Sequence, residues 1–262
     1  MARQPALFIS HGSPMMAIEP SPARDFLAGL GAELARPEAI LVVSAHFDLP
    51  ALTITSTANP PTIHDFGGFP EILYQQRYPA PGAPALAQDI ASMLTATGQN
   101  VIIDPDRGLD HGAWVPLMLL YPDADIPVLQ ISIDSRKSPD WHVRLGAVLA
   151  PLRDHNILII GSGSMTHNLG AFFTGRPAID ARPPEWVSDF ADWIDARLIE
   201  GDGAAVTNLT ERAPFALRNH PTPDHILPLH VAMGAGGAPL HARRLHRSTT
   251  YGVLAMDAYA FD

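Results

Sequence analysis

The sequence predicts an α/β protein: a single domain with a central sheet, mostly parallel or mixed, flanked by helices. Two observations carry this. Apolar runs of strand length alternate along the chain with longer stretches whose apolar residues recur at helical spacing, the order from which α/β sheets are built. The 262 residues also contain no Gly/Ser-type linker and no internal repeat, so one domain over residues 1–262 is the simpler division.

Residues 6–10 are an apolar run closed by His11 and a Gly-Ser-Pro turn, a buried strand too short for a helix. Ser21 before Pro22 is an N-cap with proline at the first helical position, and Phe26, Leu27, Leu30 and Leu34 follow at helical spacing. Residues 39–45 form a second strand, again ending at a histidine, His46. Residues 52–57 alternate with β-branched side chains and read as an edge strand. Residues 59–84 are rich in Pro and Gly. Their aromatics, Phe66, Phe69, Tyr74 and Tyr78, argue for order, and ordered loops of this length are usually functional. Residues 85–97 form an amphipathic helix stopped by Gly98, with Leu86, Ile90, Met93 and Leu94 on one side. A short strand at 100–103, an apolar helix at 112–120 and a strand at 127–133 come next. Ser138-Pro139 caps a helix to about Arg153. Residues 157–161 are a strand, and 185–200 a helix burying Trp186, Phe190, Trp193, Ile194 and Leu198. Thr222-Pro223 caps a helix to about Met233, and residues 250–258 close the chain as a strand.

Composition narrows the function. With 47% hydrophobic residues the chain can bury a large core. It has no cysteine, which removes disulfides, thiolate metal sites and cysteine nucleophiles together. A metal here needs nitrogen and oxygen ligands. A formal charge of −10 argues against nucleic-acid binding and is compatible with a soluble monomer or homodimer. No apolar window is long enough for a membrane span, and no secretory segment precedes the first strand, so a cytoplasmic protein is expected.

Twelve histidines are too many to be idle together and too many to be all functional. His142 and His155 lie in or beside a helix, and His241 and His246 lie among Arg243, Arg244 and Arg247, a solvated basic face. These four read as surface or hydrogen-bonded histidines. His11 and His46 each follow a strand, and in open α/β sheets ligands bind beyond the carboxyl ends of strands. Two neutral imidazoles there make a metal pair; the alternative is that each caps its own turn. His225 falls in the first turn of the helix opened by Pro223, a candidate third ligand, with Asp224 pointing elsewhere and His230 off its face. This spacing is not the His-Glu-x-x-His of zinc proteases. His111, after Gly108-Leu-Asp110, and His167, after Gly161-Ser-Gly-Ser164, each fit a ligand, a general acid/base or a capping group. Gly161-Ser-Gly163 lacks a full nucleotide-binding pattern, and residues 161–165 break the nucleophile-elbow pattern.

Seven segments, in order along nearly the whole chain, resemble one family. They are His11-Gly-Ser-Pro-Met15, Ser44-Ala-His46, Pro61-Thr-Ile-His-Asp-Phe-Gly-Gly-Phe-Pro70, Tyr78-Pro-Ala-Pro-Gly82, Asp110-His-Gly112, Thr166-His-Asn-Leu169 and Pro221-Thr-Pro-Asp-His225. Together they resemble the class III extradiol ring-cleaving dioxygenases, in the DOPA 4,5-dioxygenase branch. The likeness is weakest over residues 170–218. It implies a non-haem Fe(II) enzyme that opens a catechol, L-DOPA or a similar one, beside its hydroxyls with O₂. It implies His11, His46 and His225 as metal ligands, His167 as the acid/base and His111 as a histidine facing substrate or oxygen. Distant members use two histidines and a glutamate, whereas the third position here is His225; three imidazoles also suit zinc. On this reading Phe66, Phe69 and Tyr74 wall a flat ring and His64 meets a polar substituent, the alternative being a packed Ω-loop. Two other functions stay open: a zinc-dependent hydrolase, and a Memo-like binding protein without ring cleavage.

Overall fold

The computed structural model describes residues 3–262. β1 (Ala6–Ser10) leads through a 3-10 turn (Pro14–Ala17) to α1 (Pro22–Glu33). β2 (Ala39–Asp48) and β3 (Leu52–Thr55) precede α2 (Glu71–Tyr74), α3 (Pro84–Ala96) and β4 (Val101–Asp104). α4 (His111–Leu120), β5 (Val128–Ile133), α5 (Pro139–Leu149) and β6 (Ile157–Gly163) follow. The next segment holds α6 (Leu169–Gly175), α7 (Glu185–Ile199), α8 (Gly203–Thr207), α9 (Leu209–Arg212) and α10 (Ala216–Asn219). α11 (Leu227–Gly236) and β7 (Ala242–His246), β8 (Thr249–Thr250), β9 (Leu254–Ala255) and β10 (Ala258–Phe261) complete the chain.

Eight strands make one mixed sheet in the order β4-β3-β5-β2-β6-β1-β10-β7, and β8 pairs with β9 in a separate hairpin. β5, β2, β6 and β1 form a parallel block; β1, β5 and β6 are buried along their whole length because both faces are covered. Antiparallel β3 and β10 flank it. α4 packs on β2 and α1, and α11 on β6, β1 and α5. Both helices are buried almost all round, as central helices are. Side-chain caps at Ser21, Asp110 and Ser138 start α1, α4 and α5. No helix among the described residues is long and apolar enough to cross a membrane.

The structure departs from the sequence expectations at several points, and the helix expected to about Arg153 ends at Leu149, followed by a 3-10 turn over Ala150–His155. β3 is not the edge; β4 pairs outside it and exposes Ile102. β2 continues past His46 to Asp48. Val43 pairs with Ile131, and the next pair is Asp48 with Ile133, so residues 44–47 arch away from β5. An irregularity of this kind re-aims side chains beside active sites. The final strand is broken into three, because Tyr251 (φ +54°) and Gly252 (φ +63°) turn the chain in the left-handed region. Lastly, α11 opens at Leu227 with Pro228 in its first turn, and residues 221–226 form a separate turn closed by Ile226 N–H donating to the Pro223 carbonyl. His225 therefore sits on that turn, ahead of the helix.

Candidate metal centre

Parallel pairing puts the carboxyl ends of β1, β6 and β2 on one edge, with Ser10 opposite Gly163 and Ser44 opposite Ser162. His11 follows β1 directly and His46 stands on the arch of β2. The turn bearing His225 comes in over β6, where Ser164 N–H donates to the His225 carbonyl at 2.8 Å. Two glycines allow that approach. A Cβ on Gly163 would lie 2.2 Å from the His225 carbonyl oxygen, and one on Gly161 2.2 Å from that of Pro228. His111 opens α4, whose first turn is braced by Asp110; its carboxylate accepts from Ser44, Gln130 and Arg107. His167 is held by its N–H donating to the Asn219 carbonyl.

These elements bring five histidines together. The Nε2 atoms of His11 and His46 are 3.0 Å apart. The His225 ring centroid lies 5.3 Å from that of His11 and 4.9 Å from that of His46. His111 lies 3.9 Å from His46, and His167 stacks on His225 at 3.4 Å. Two triads result. His11, His46 and His111 offer one ligand atom each within 4.8 Å of one another, as do His167, Asp224 and His225. The sequence-predicted set of His11, His46 and His225 spans both.

Polar partners on the far side of each ring, hydrogen-bonded for His11 and His225 and an ion-pair contact for His46, bear on how the nitrogens are used. The Ser162 hydroxyl donates to the Gly112 carbonyl, so at 3.0 Å from His11 Nδ1 it accepts that ring's proton. His46 Nδ1 faces Asp65 at 3.6 Å, and His225 Nδ1 donates to Asp224. With each Nδ1 turned to an acceptor, the three Nε2 lone pairs are free, the arrangement of metal-ligating histidines. A 3.0 Å separation is also that of two nitrogens each about 2.1 Å from one ion at a right angle. Asp224 does not point elsewhere, as expected from sequence; on a turn, unlike a helix, adjacent side chains can meet.

Burial, then repulsion from neighbouring imidazoles, pushes the His11 pKa well below its ordinary value. The same causes push His46 down to about 2, against an opposing pull from Asp65, and burial takes His167 down to about 3. These rings are therefore neutral at neutral pH, the form that binds a metal. Burial works against ionisation of Asp65, but hydrogen bonds from His111 outweigh it and hold the carboxyl at about 2. Burial likewise opposes Asp224, and its hydrogen bond with His225 keeps it well below the usual carboxylate range. The donor set, neutral imidazoles backed by carboxylates and a hydroxyl, fits a transition-metal ion.

His46, His111, His167 and His225 floor a cavity of about 420 Å³ that the buried His11 does not line, within the range of small-molecule sites. Phe66 and Phe69 form one wall, with Gly67 and Gly68 between them. His64 and Tyr74 do not line it. His64 lies behind Phe66, packed against Tyr74 and Trp114, with Nε2 3.1 Å from the Gln76 carbonyl. The opposite wall is Met15, Leu169, Phe172, Phe173, Tyr251 and Leu254. Of these the sequence singled out Met15 and Leu169 only within family segments. Asp65 and Ser162 were likewise not read as site residues. Their signal was position beside His64-Asp-Phe66 and at a strand end, which becomes informative only once the partner rings are known.

Known proteins share these features. Residues 5–261 match the model of the catalytic LigB subunit of aromatic ring-opening dioxygenase. A 4,5-DOPA dioxygenase extradiol of Beta vulgaris is 44% identical, over 97% of this chain and 95% of the relative. Its namesake in Escherichia coli (strain K12) is 44% identical over 89% of this chain and 85% of the relative. The crystal structure of an uncharacterized Escherichia coli K12 protein superposes with a TM-score of 0.79 at 33% identity, covering 99% of this chain and all of the other. With its histidine-rich sheet edge and near-complete match, this chain belongs to the family of the catalytic LigB subunit of aromatic ring-opening dioxygenases.

Proposed function

We propose that the protein opens the ring of a substituted catechol, L-DOPA or a close analogue, by 4,5-cleavage with O₂ at one non-haem Fe(II) ion held by His11, His46 and His225. The observation that carries this is the cluster of five imidazoles at one sheet edge, four of which floor a cavity with aromatic walls. The 44% identity to 4,5-DOPA dioxygenases supports the substrate class. When bound, the ion supplies a Lewis-acid centre with open positions for the catechol oxygens and O₂.

The chain's own residues then have distinct tasks. Ser162 and Asp224 hold the Nδ1 protons of His11 and His225 and so aim their Nε2 atoms, and the Asp65 carboxylate faces Nδ1 of His46. Phe66 and Phe69, packed edge to face on one wall, line one side of the ring and exclude water. His167 lies against His225, is neutral at rest and is open to the cavity, so it takes a proton from a catechol hydroxyl; Asp224 favours its charged form once the proton arrives. It returns that proton as the ring opens. His111, fixed by Asp65, faces the substrate.

The test is paired. His167→Gln should retain iron while slowing turnover by about 10²–10⁴-fold, whereas His225→Ala should lose iron. If His167→Gln loses iron as completely, His167 is a ligand and the proton carrier is sought at His111. If it keeps iron and full activity, the role given to it is wrong. Metal analysis also separates one ion from the two that the paired triads would take. Three imidazoles equally suit zinc, and a zinc hydrolase would show no oxygen uptake with any catechol after anaerobic Fe(II) loading.

A further inference from the structure

We propose that the cavity selects catechols whose ring substituent carries no net negative charge, and that a substituent with an ammonium group is seated toward Glu19. This rests on the catechol reading above and narrows its substrate class.

Beyond the histidines, Asp65 and Ser13, the walls that a substituent would touch are mainly apolar, with Met15, Phe66, Phe69, Leu169, Phe172 and Tyr251. Next to the ring cavity lies a smaller hollow that shares Ser13, Met15 and Tyr251 with it and is bounded by Glu19. Tyr251 stands between the two. Its ring packs edge-on against Phe172 at 5.2 Å, and its hydroxyl donates to Glu19. Its backbone is in the left-handed region, at φ +54°, which bulky residues avoid and which clusters at functional sites. Tyr251 is thus held where the substituent would leave the ring cavity, with the Glu19 carboxylate behind it.

The side-chain charges bordering this path have one sign. Asp65 lies in the wall of the cavity and Glu19 in that of the hollow, and no Lys or Arg lines either one among the described residues. A carboxylate entering here would exchange hydration for apolar contact and meet charge of its own sign. An alkyl group would gain by burial. An ammonium would meet opposite charge at Glu19, while the zwitterionic tail of an amino acid has no net charge to repel.

The experiment compares three catechols that differ only in the tail: dopamine, 4-methylcatechol and 3,4-dihydroxyphenylacetate. The measurement is kcat/KM on the Fe(II)-loaded protein at low ionic strength. The amine and methyl compounds should each exceed the acid by about tenfold or more, the factor that a charge difference worth ~1.4 kcal/mol supplies. Glu19→Gln should lower kcat/KM for dopamine more than for 4-methylcatechol. Selection by charge is overturned if the acid is turned over as well as the amine, and seating toward Glu19 if the variant lowers both substrates equally. Turnover of none of the three by iron-loaded protein would instead remove the catechol reading, and this inference with it.

Discussion

At the scale of single residues, the centre depends on which ring nitrogen holds the proton. A free imidazole can present either nitrogen, so a ligand set whose tautomers are not fixed spends part of its time misdirected. The Ser162 hydroxyl fixes His11 by accepting at Nδ1 while its own proton is committed to the Gly112 carbonyl. Ser162 is fully buried, so no water replaces it at low cost. Ser162→Ala should weaken metal binding by about 10–100-fold, read by competition with a chelator on the metal-free protein. Asp224→Asn should do the same through His225. Unchanged affinity in both would mean that the far-side partners are bystanders. The histidines themselves were legible because each follows a strand-like run or a family segment. Their partners were not: Ser162 is 151 residues from His11 and Asp65 is 46 from His111, and such pairings exist only in the folded chain. Tyr74 and His64 misled because they pack on each other, and His64 on Trp114, contacts made only in the folded chain. Phe66 takes the cavity face and hides them.

At the scale of elements, close backbone approach positions the turn over the sheet. Gly161 and Gly163, which resembled a broken phosphate motif, instead let Pro228 and His225 lie against β6. Gly163→Ala places a Cβ 2.2 Å from a backbone carbonyl, so the turn must move. A destabilisation of about 1–3 kcal/mol is expected, with weaker metal retention because His225 moves too. Gly29, on the exposed side of α1 with nothing within 4 Å of its would-be Cβ, is the contrast. Gly29→Ala should stabilise by about 0.5–1 kcal/mol. Urea midpoints of the two variants check both, and equal effects would show that contact at Gly163 is not the cause. The strands and long helices were readable because burial imposes a period. α6 was not, since none of its residues is buried. Nor were α8, α9 and α10, each of four or five residues, too short to repeat a pattern. The opening of α11 was misplaced because Pro223 and Pro228 both suit a first turn, and only packing against β6 chooses between them.

At the scale of the whole molecule, the core shelters histidines that serve no metal, and they set its response to acid. His230 is fully buried, with Nδ1 3.2 Å from the Ile226 carbonyl and Nε2 3.2 Å from that of Val206. Two acceptors favour the doubly protonated ring, but burial is the larger effect and pushes His230 down to about 4. His220 is held at about 4, chiefly by burial, and burial lowers His142 as well. Below about pH 6.5 the unfolded chain protonates these rings while the folded one does not. Their contribution to stability is therefore complete above about pH 6.5 and lost as pH falls toward about 4. Asp257 runs the other way. Burial raises its carboxyl to about 7, so stability falls as pH rises from about 4 to 7 through this group. A wild-type profile mixes the two signs, and a difference measurement isolates one. His230→Gln should flatten the loss of stability between about pH 6.5 and 4 by on the order of 3 kcal/mol, because each pH interval of one between the unfolded and folded titrations is worth about 1.4 kcal/mol. The measurement is denaturant unfolding of metal-free wild type and variant across that range. If the two profiles stay parallel, His230 is protonated in the folded protein, and the paired carbonyls, not burial, decide its charge.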